Sequence, residues 1–238
     1  YSMSGAPSTI TLSSGTISGT PVNADVGTHT IVVTCTDGSS ASVSDSYVLT
    51  VVNTNDAPTV ANAISDATTA EDAAYSLDIS SVFADVDAGD TLTYSISAGP
   101  SSLSISSGTV TGTPTNDDVG ANTVTISATD GTASVTASYV LTVTNTNDAP
   151  TITSTADTTA EEDEAYSYTT TASDVDAGDT VTLTCTTVPS WLSCTAGALT
   201  GTPSNSDVGS HAVVITATDV AGATALDSFT IVVANAND

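Results

Sequence analysis

Apolar and polar residues alternate along several short segments, most clearly between positions 57 and 148. The alternating segments are residues 74–82, 91–97, 122–129 and 138–144. A period of two is typical of strands with one buried face. Turn-forming residues separate these segments, and shorter strands are predicted near 58–63 and 103–111. The pattern predicts an all-β domain of seven antiparallel strands in two sheets.

Two sequence marks recur in step along the chain. Asn-x-Asn-Asp stands at 53–56, 145–148 and 235–238, and Gly-Thr-Pro followed by Asp-Val-Gly stands at 19–27, 112–120 and 201–209. Their spacing of about 90 residues is that of a small β-sandwich, so the chain is predicted to be a linear tandem array. The predicted domains are 1–56, 57–148 and 149–238.

The first repeat is predicted to lack its first two strands. Aligning the Gly-Thr-Pro marks places Tyr1 on Tyr94, in the third strand of the second repeat. Half a sandwich leaves an open edge and half a core, which is not expected to be stable alone. Two explanations remain open: the chain is a fragment of a longer array, or another polypeptide supplies the missing strands.

The charge balance is one-sided: 27 Asp and Glu face no Lys and no Arg, for a formal charge of −27. Nucleic acid and anionic membrane surfaces are therefore excluded as partners, because both attract basic residues. No apolar run is long enough to insert in a membrane. Divalent cations are the expected counter-charges for the carboxylates, with adaptation to high salt as the competing explanation.

Most of these acids fall in turns at the ends of the predicted sandwiches. We expect oxygen atoms to lie close together at each junction. They come from the turns of one repeat, from the linker and from the turns of the next repeat. Because Ca²⁺ binds six to eight oxygen ligands, such a cluster could hold this ion. Solvated turns are the alternative, since Asp and Asn favour turns anyway. The candidate ligands are Asn53, Asn55, Asp56, Asp85, Asp87 and Asp130 at the first junction, and Glu71, Asp118, Asn145, Asn147, Asp148, Asp174, Asp176 and Asp219 at the second.

These motifs together resemble bacterial cadherin-like domains of the dystroglycan type. The resemblance rests on Asn-Asp-Ala-Pro at 55–58 and 147–150, Asp-Val-Asp at 85–87 and 174–176, the three Gly-Thr-Pro loops, and Thr129-Asp-Gly131. It covers essentially the whole chain and implies calcium at the junctions of secreted or surface proteins built as long arrays. Asn53 and Asn145 stand where true cadherins have Asp, which reduces the number of charged ligands.

The three cysteines are predicted to differ in state. Cys185 and Cys194 replace Ile96 and Ile105 of the second repeat, so two inward positions change together. This favours a disulfide between neighbouring strands and an oxidising compartment, with two buried thiols as the alternative. Cys35 has no partner in its own repeat and is predicted to be a buried free thiol.

Other reactive residues give weak signals. His29 and His211 stand where the second repeat has Asn122, which argues against a catalytic base, so no enzymatic activity is expected. Trp191 is interpreted as a core residue, with a sugar-stacking platform as the alternative.

The sequence therefore predicts a module of an extracellular surface fibre, filament or large adhesin, made rigid by Ca²⁺. Its expected partners are adjoining repeats or neighbouring copies of itself, and possible further partners are a cell-surface protein or glycan. The alternative function is a set of carbohydrate-binding accessory domains on a secreted hydrolase.

Overall fold

The computed structural model describes residues 1–237, so Asp238, the last residue of the third predicted domain, lies outside the described part. The Cα positions group into two compact units. One consists of Tyr1–Thr68, Ala74–Thr113 and Ala121–Thr142. The other consists of Thr69–Ala73, Pro114–Gly120 and the chain from Val143 onward. None of the described helices is long and apolar enough to span a membrane.

The first repeat forms two small antiparallel sheets, ordered β1-β4-β5 and β2-β3. Its strands are β1 (Ser2–Ser4), β2 (Ile10–Ser13), β3 (Thr16–Gly19), β4 (Gly27–Thr36) and β5 (Ser42–Val51). β4 and β5 pair along their whole length, with Ile31 opposite Tyr47. Ile31 is the one fully buried large hydrophobic residue among positions 1–56. The core within residues 1–56 therefore centres on Ile31.

The second repeat has two main sheets, ordered β10-β13-β14-β7 and β11-β12-β8, and a short pair β6-β9. Its strands are β6 (Thr59–Val60), β7 (Ala67–Ala70), β8 (Tyr75–Asp78), β9 (Phe83–Ala84), β10 (Thr93–Ala98), β11 (Leu103–Ser106), β12 (Thr109–Gly112), β13 (Gly120–Thr129) and β14 (Ser134–Thr144).

The third repeat repeats this arrangement, with sheets β16-β23-β22-β19 and β17-β21-β20 and the short pair β15-β18. Its strands are β15 (Thr151–Ile152), β16 (Thr159–Glu161), β17 (Tyr166–Thr169), β18 (Ala172–Ser173), β19 (Thr182–Thr187), β20 (Leu192–Thr195), β21 (Ala198–Gly201), β22 (Gly209–Thr218) and β23 (Thr224–Ala234). β16 runs parallel to β23, whereas the other assigned pairs of this repeat are antiparallel.

The second and third repeats each have nine assigned strands rather than the predicted seven. The predicted first strand near 58–63 is divided, because β6 pairs with β9 while β7 lies in the sheet of β14. Between them, the amides of Ala61 and Asn62 both bond to the carbonyl of Val82. The predicted strand 74–82 ends at Asp78. The next amide, that of Ile79, donates to the carbonyl of Gly108, which lies in a turn and not in a strand.

Alternating residues of the long strands form the cores. In the second repeat Val124, Ile126 and Leu141 are fully buried. In the third repeat Val213, Ile215 and Ile231 are buried in the corresponding places. Each such side chain contributes about 1.5–3 kcal/mol through its removal from water. These residues hold the turns at the ends of the strands in fixed positions.

The glycine of each Gly-Thr-Pro loop lies at a close backbone approach. A Cβ built on Gly112 would lie 2.2 Å from the carbonyl oxygen of Ser102, and one on Gly201 would lie 2.2 Å from that of Trp191. The loop then forms a short 3-10 helix in each repeat, at Asn23–Asp25, Asn116–Asp118 and Asn205–Asp207. Glycine at this place thus lets the loop pass close to the facing strand.

Cys185 on β19 and Cys194 on β20 are joined by a disulfide bond, with 6.4 Å between their Cα atoms. Both pack against the core of the third repeat. Cys35 is a free thiol, but it is partly exposed rather than buried as predicted. Its counterparts Ala128 and Ala217 are fully buried. Among residues 1–56 no strand corresponds to β7 and β8, so fewer strands surround Cys35 than surround Ala128.

Candidate metal sites at the repeat junctions

The Asp-Val-Asp turns fold back on themselves and direct their carboxylates inward. In the second repeat the amide of Asp87 donates to Asp85 Oδ1 at 2.9 Å, and in the third the amide of Asp176 donates to Asp174 Oδ1 at 3.0 Å. This local bond is an Asx turn, which Asp forms readily with the backbone two residues later. Asp87 and Asp176 are buried as a result.

At the first junction these turns contact the linker and the loop of the preceding repeat. The amide of Asp56 donates to Asp87 Oδ2 at 2.7 Å. Asn23, in the first Gly-Thr-Pro loop, donates its side-chain amide to Asp56 Oδ2 at 2.7 Å and to Asp87 Oδ1 at 3.4 Å. Polar groups from a loop, a linker and a turn are therefore held together within one compact unit.

Asn55 connects the first linker to the late Thr-Asp-Gly turn. Its side-chain amide donates to Asp130 Oδ2 at 3.1 Å. The other oxygen of Asp130 accepts the amides of Thr132 and Ala133 at 2.6 and 2.7 Å. The Ala133 amide, followed by that of Thr132, lowers the pKa of Asp130. The carboxylate is therefore ionised and oriented beside the linker.

The second junction has the same arrangement. The amide of Asp148 donates to Asp176 Oδ2 at 2.9 Å, and Asn116 donates its side-chain amide to Asp148 Oδ2 at 2.9 Å. Asn147 donates to Asp219 Oδ2 at 2.8 Å, and this bond is the main cause of the lowered pKa of Asp219. The two junctions, 92 residues apart in the sequence, thus share one hydrogen-bond pattern.

Glu71 completes the second junction from the preceding repeat. Its Oε1 accepts the amide of Thr146 in the linker at 2.6 Å. The side chain is only 2% exposed, yet Oε2 has no hydrogen-bond partner among the described residues. Ligand oxygens of Glu71, Asp148 and Asp176 lie within 4.8 Å of one another.

Several further buried oxygens at this junction are unpaired within residues 1–237. They are Asp174 Oδ2, Asp176 Oδ1 and Asn116 Oδ1, and Asp85 Oδ2 is their counterpart at the first junction. A buried unpaired polar group costs about 1–3 kcal/mol and a charged one costs more. The chain has no Lys or Arg to compensate them. A divalent cation with a preference for oxygen, such as Ca²⁺, fits this set of ligands.

Asp90 and Asp179 are the third acids of the two turns, and loss of solvation together with neighbouring negative charges raises the pKa of each. Loss of solvation, followed by repulsion from Asp87 and Asp85, raises the pKa of Asp90. Loss of solvation, followed by repulsion from Asp174, raises the pKa of Asp179. Each of these acids has an oxygen within 4.8 Å of the other two carboxylates of its turn.

Some of the residues predicted to ligate a cation have other contacts or are exposed. Asp118 Oδ2 accepts the amide of Thr115 at 3.0 Å and so stabilises the start of its own 3-10 helix. Asn116, two residues earlier, contacts the linker acid instead. Asn53 and Asn145, the first residues of the linkers, are exposed to solvent.

Asn23 and Asn116 are the site residues that sequence reasoning missed. A signal was present, because an Asn follows Gly-Thr-Pro-x in all three loops, at positions 23, 116 and 205. The sequence favours the aspartate of the following Asp-Val-Gly as a ligand, because a carboxylate carries a charge and an amide does not. The structure places the side-chain amide of Asn116 against the linker acid Asp148, and it places one oxygen of Asp118 against the amide of Thr115.

The histidines and the tryptophan have structural contacts. His29 donates Nε2–H to the carbonyl of Asp25 at 2.7 Å, and His211 makes the same bond to Asp207. Each imidazole thereby holds its Gly-Thr-Pro loop. Trp191 packs edge-on against Tyr166 and His211, with ring centroids 5.9 Å apart in both pairs. These contacts agree with the interpretation of Trp191 as a core residue.

Comparison with known families identifies the repeats. The Putative Ig domain family matches residues 1–52, 57–144 and 149–234. The chain belongs to this family. The prediction of tandem Ig-like repeats is therefore confirmed, together with the all-β fold class. Each match begins just after a linker or at the first residue of the chain.

A sequence relative is the serine-rich adhesin for platelets of Staphylococcus aureus strain MRSA252, 34% identical over 137 residues. The match covers 56% of this chain and 10% of the adhesin. The adhesin of strain MSSA476 is likewise 34% identical, and the match covers 6% of its length. The chain therefore corresponds to a small part of these curated relatives.

Solved structures with a similar backbone include cadherin domains and a glycoside hydrolase. The extracellular cadherin domains 1–5 of protocadherin gamma B2 align over 100% of this chain and 53% of their own, with 17% identity and a TM-score of 0.47. An endo-fucoidan hydrolase of glycoside hydrolase family 107 aligns over 99% of this chain and 39% of its own, with 26% identity and a TM-score of 0.39.

Proposed function

We propose that this chain is a structural module of an extracellular adhesin, fibre or filament, whose repeat junctions are made rigid by Ca²⁺. The observation that supports this most directly is the set of buried, unpaired carboxylate oxygens around Glu71, Asp148 and Asp176. Burying unpaired anions in a protein without basic side chains is costly unless a cation joins them.

At the second junction the proposed ion is ligated by Glu71, Asn116, Asp148, Asp174, Asp176 and Asp179, with Asp219 orienting Asn147 beside it. At the first junction the corresponding ligands are Asn23, Asp56, Asp85, Asp87 and Asp90, with Asp130 orienting Asn55. This differs from the ligand set expected from the sequence, because Asn116 replaces Asp118 and the exposed Asn53 and Asn145 are left out. In this proposal Asp130 and Asp219 do not ligate the ion themselves. They orient the side-chain amides of the linker residues Asn55 and Asn147.

Rigidity follows from the origin of the ligands. The second set includes a residue before β8, a loop after β12, the linker, and the turn between β18 and β19. Without the ion, the carboxylates repel one another and only a few hydrogen bonds hold the linker. With the ion bound, elements distant in sequence are tied to a single point, so the linker loses its freedom.

The setting at the cell surface is supported by the family and the relatives. An Ig-like array whose relative is a staphylococcal adhesin for platelets fits a stalk that extends an adhesive region from the surface. The disulfide of the third repeat fits an oxidising compartment. The proposed partners are adjoining repeats of the same array, and at its adhesive end a surface protein or glycan.

Calorimetric titration of the full chain with Ca²⁺ tests the proposal, with Mg²⁺ and NaCl as ionic controls. Glu71→Gln should weaken one site about tenfold or more, because it removes a charged ligand without changing its size. Asp87→Asn should weaken the other site. Asp117→Asn is the matched control, because Asp117 is exposed in the same loop as Asn116 and Asp118.

Hydrogen exchange of the linker amides reports the rigidity itself. Ca²⁺ should slow exchange at residues 53–56 and 145–148, and Glu71→Gln should remove the effect at 145–148 alone. The proposal is wrong if millimolar Ca²⁺ produces neither binding heat nor slower exchange. Equal responses to Ca²⁺ and to NaCl would instead favour general charge screening by salt.

A further inference from the structure

Asp72 and Asp163 have a left-handed backbone conformation, with φ of 57° and 60°. Such values are uncommon outside glycine, and Asp is among the few residue types that tolerate them. Ser107 and Ala196 also have a positive φ, but each precedes a glycine in a two-residue hairpin turn, where this conformation is ordinary. Asp72 and Asp163 lie instead where the chain passes from one sheet of a repeat to the other, between β7 and β8 and between β16 and β17.

In both repeats the left-handed residue directly follows a buried glutamate. Glu71 is 2% exposed and Glu162 is 1% exposed. The amide of Glu71 donates to the carbonyl of Thr144 at 3.0 Å, and the amide of Glu162 donates to that of Ala234 at 3.1 Å. Each glutamate therefore continues the pairing of its strand with the last strand of the repeat, and the next residue turns the chain away.

The amide of the left-handed residue bonds to the Gly-Thr-Pro loop. Asp72 donates its N–H to the carbonyl of Pro114 at 2.8 Å, and Asp163 donates to that of Pro203 at 2.8 Å. Pro114 is two residues before Asn116, another proposed ligand of the second junction. The turn therefore connects the loop that carries this ligand with the segment that carries the buried glutamate.

The turn also fixes where the carboxylate of the glutamate lies. Oε1 of Glu71 accepts the amide of Thr146 at 2.6 Å, and Oε1 of Glu162 accepts the amide of Ala236 at 2.8 Å. In both glutamates Oε2 has no hydrogen-bond partner among the described residues. The two left-handed aspartates are themselves exposed. Their backbone conformation, and not burial of their carboxylates, therefore explains an Asp at this position.

We infer that Asp72 is a positioning residue for Glu71, and that it acts through its left-handed backbone and not through its charge. The inference rests on the proposed function, because it concerns the Ca²⁺ site of the second junction. Strained backbone persists where the surrounding structure requires it. A residue that disfavours positive φ should let the turn relax and move Glu71 away from Thr146. Binding of Ca²⁺ must then restore the turn, so the affinity falls.

Substitutions of Asp72 separate conformation from charge. Asp72→Val introduces a β-branched residue, which strongly disfavours positive φ, and should weaken Ca²⁺ binding at the second site about tenfold. Asp72→Ala should cause a smaller loss. Asp72→Asn and Asp72→Gly remove the charge but tolerate the conformation, so both should keep the affinity within about threefold. Calorimetric titration of the full chain with Ca²⁺ at physiological ionic strength measures these affinities.

Hydrogen exchange in EDTA reports the position of Glu71 without any metal. Asp72→Val should speed exchange of the Thr146 amide about fivefold or more, whereas Asp72→Asn should leave it unchanged. Asp163→Val is the matched control, because it changes the same turn of the third repeat. It should speed exchange of the Ala236 amide and leave both the exchange at Thr146 and the calcium affinity of the second site unchanged.

A double-mutant cycle separates positioning from a general loss of stability. When Glu71→Gln is already present, Asp72→Val should lower the calcium affinity by less than about twofold, because no carboxylate is left to position. Losses that multiply in the double variant would show that Asp72 acts independently of Glu71 and would overturn the inference.

Two further results would overturn it. One is a loss of affinity in Asp72→Asn as large as that in Asp72→Val, which would assign the effect to charge. The other is unchanged exchange of the Thr146 amide in both Asp72→Val and Asp72→Ala. Absence of calcium binding by the unsubstituted chain would contradict the proposed function, and exchange at Thr146 in EDTA would still decide whether Asp72 positions Glu71.

Discussion

Asn116 donates its side-chain amide to the carboxylate of Asp148, 32 residues later, at 2.9 Å. The first junction repeats this relationship between Asn23 and Asp56 at 2.7 Å. A loop at the end of one repeat therefore holds the last acid of the linker in place. Within residues 1–237 the buried Oδ1 of Asn116 has no hydrogen-bond partner, so it is available to a cation at the same point.

Replacement of Asn116 should change calcium affinity in two directions. Asn116→Ala removes both the ligand oxygen and the bond to Asp148, so the second site should bind Ca²⁺ about tenfold more weakly. Asn116→Asp adds a charged ligand and should bind Ca²⁺ more tightly. Calorimetric titration measures both, with Asp117→Asn as the control for charge in the loop. Unchanged affinity in both variants would remove Asn116 from the ligand set.

Calcium binding should release protons in mildly acidic solution. The pKa values of Asp90 and Asp179 are raised by loss of solvation and by neighbouring carboxylates, so these groups take up protons at a higher pH than ordinary aspartates. Because a bound cation favours the ionised form, Ca²⁺ should displace these protons, and its affinity should fall as the pH is lowered through the raised pKa.

Calorimetry in buffers of different ionisation enthalpy counts the released protons. The number of released protons should increase as the pH is lowered toward the raised pKa of these carboxylates. Asp90→Asn together with Asp179→Asn should reduce it. A number of released protons that does not change with pH in acidic solution would contradict the prediction.

The disulfide between Cys185 and Cys194 should stabilise the third repeat alone. It joins residues nine positions apart, and closure of so short a loop contributes about 2–3 kcal/mol to the free energy of unfolding in the chain-entropy model. Mass spectrometry after alkylation without reductant should show modification of Cys35 only. A paired Cys185→Ala, Cys194→Ala variant should lose stability in residues 149–237, as followed by hydrogen exchange. Alkylation of all three cysteines would refute the bond.

Equivalent core positions should differ in their contribution to stability. Leu141 is fully buried, so Leu141→Ala should destabilise the second repeat by about 2–5 kcal/mol. Leu49 is its partly exposed counterpart in the first repeat, and Leu49→Ala should cost clearly less. Denaturant dependence of hydrogen exchange in β13 and β4 measures each repeat separately. Equal costs in the two repeats would contradict the prediction.

The local elements of this fold could be predicted from the sequence. The predicted segments 91–97, 122–129 and 138–144 correspond to β10, β13 and β14, because alternation of side chains is a property of the strand itself. The division of the first strand into β6 and β7 could not be predicted in this way. It depends on which sheet each half joins, and that is decided by contacts with Val82 and β14 rather than by local pattern.

For the candidate metal sites too, some features could be predicted from the sequence and others could not. Repetition of the Asp-Val-Asp turns and linkers in the sequence was enough to place acids at the junctions. The contact of Asn116 with Asp148, and the burial of Glu71 beside Thr146, were decided by tertiary structure. Glu71 and Thr146 are 75 residues apart, and their contact exists only after the strands have brought the loop, linker and turn together. Sequence alone therefore determined which residue types gather at each junction, while packing determined which oxygen atoms face one another.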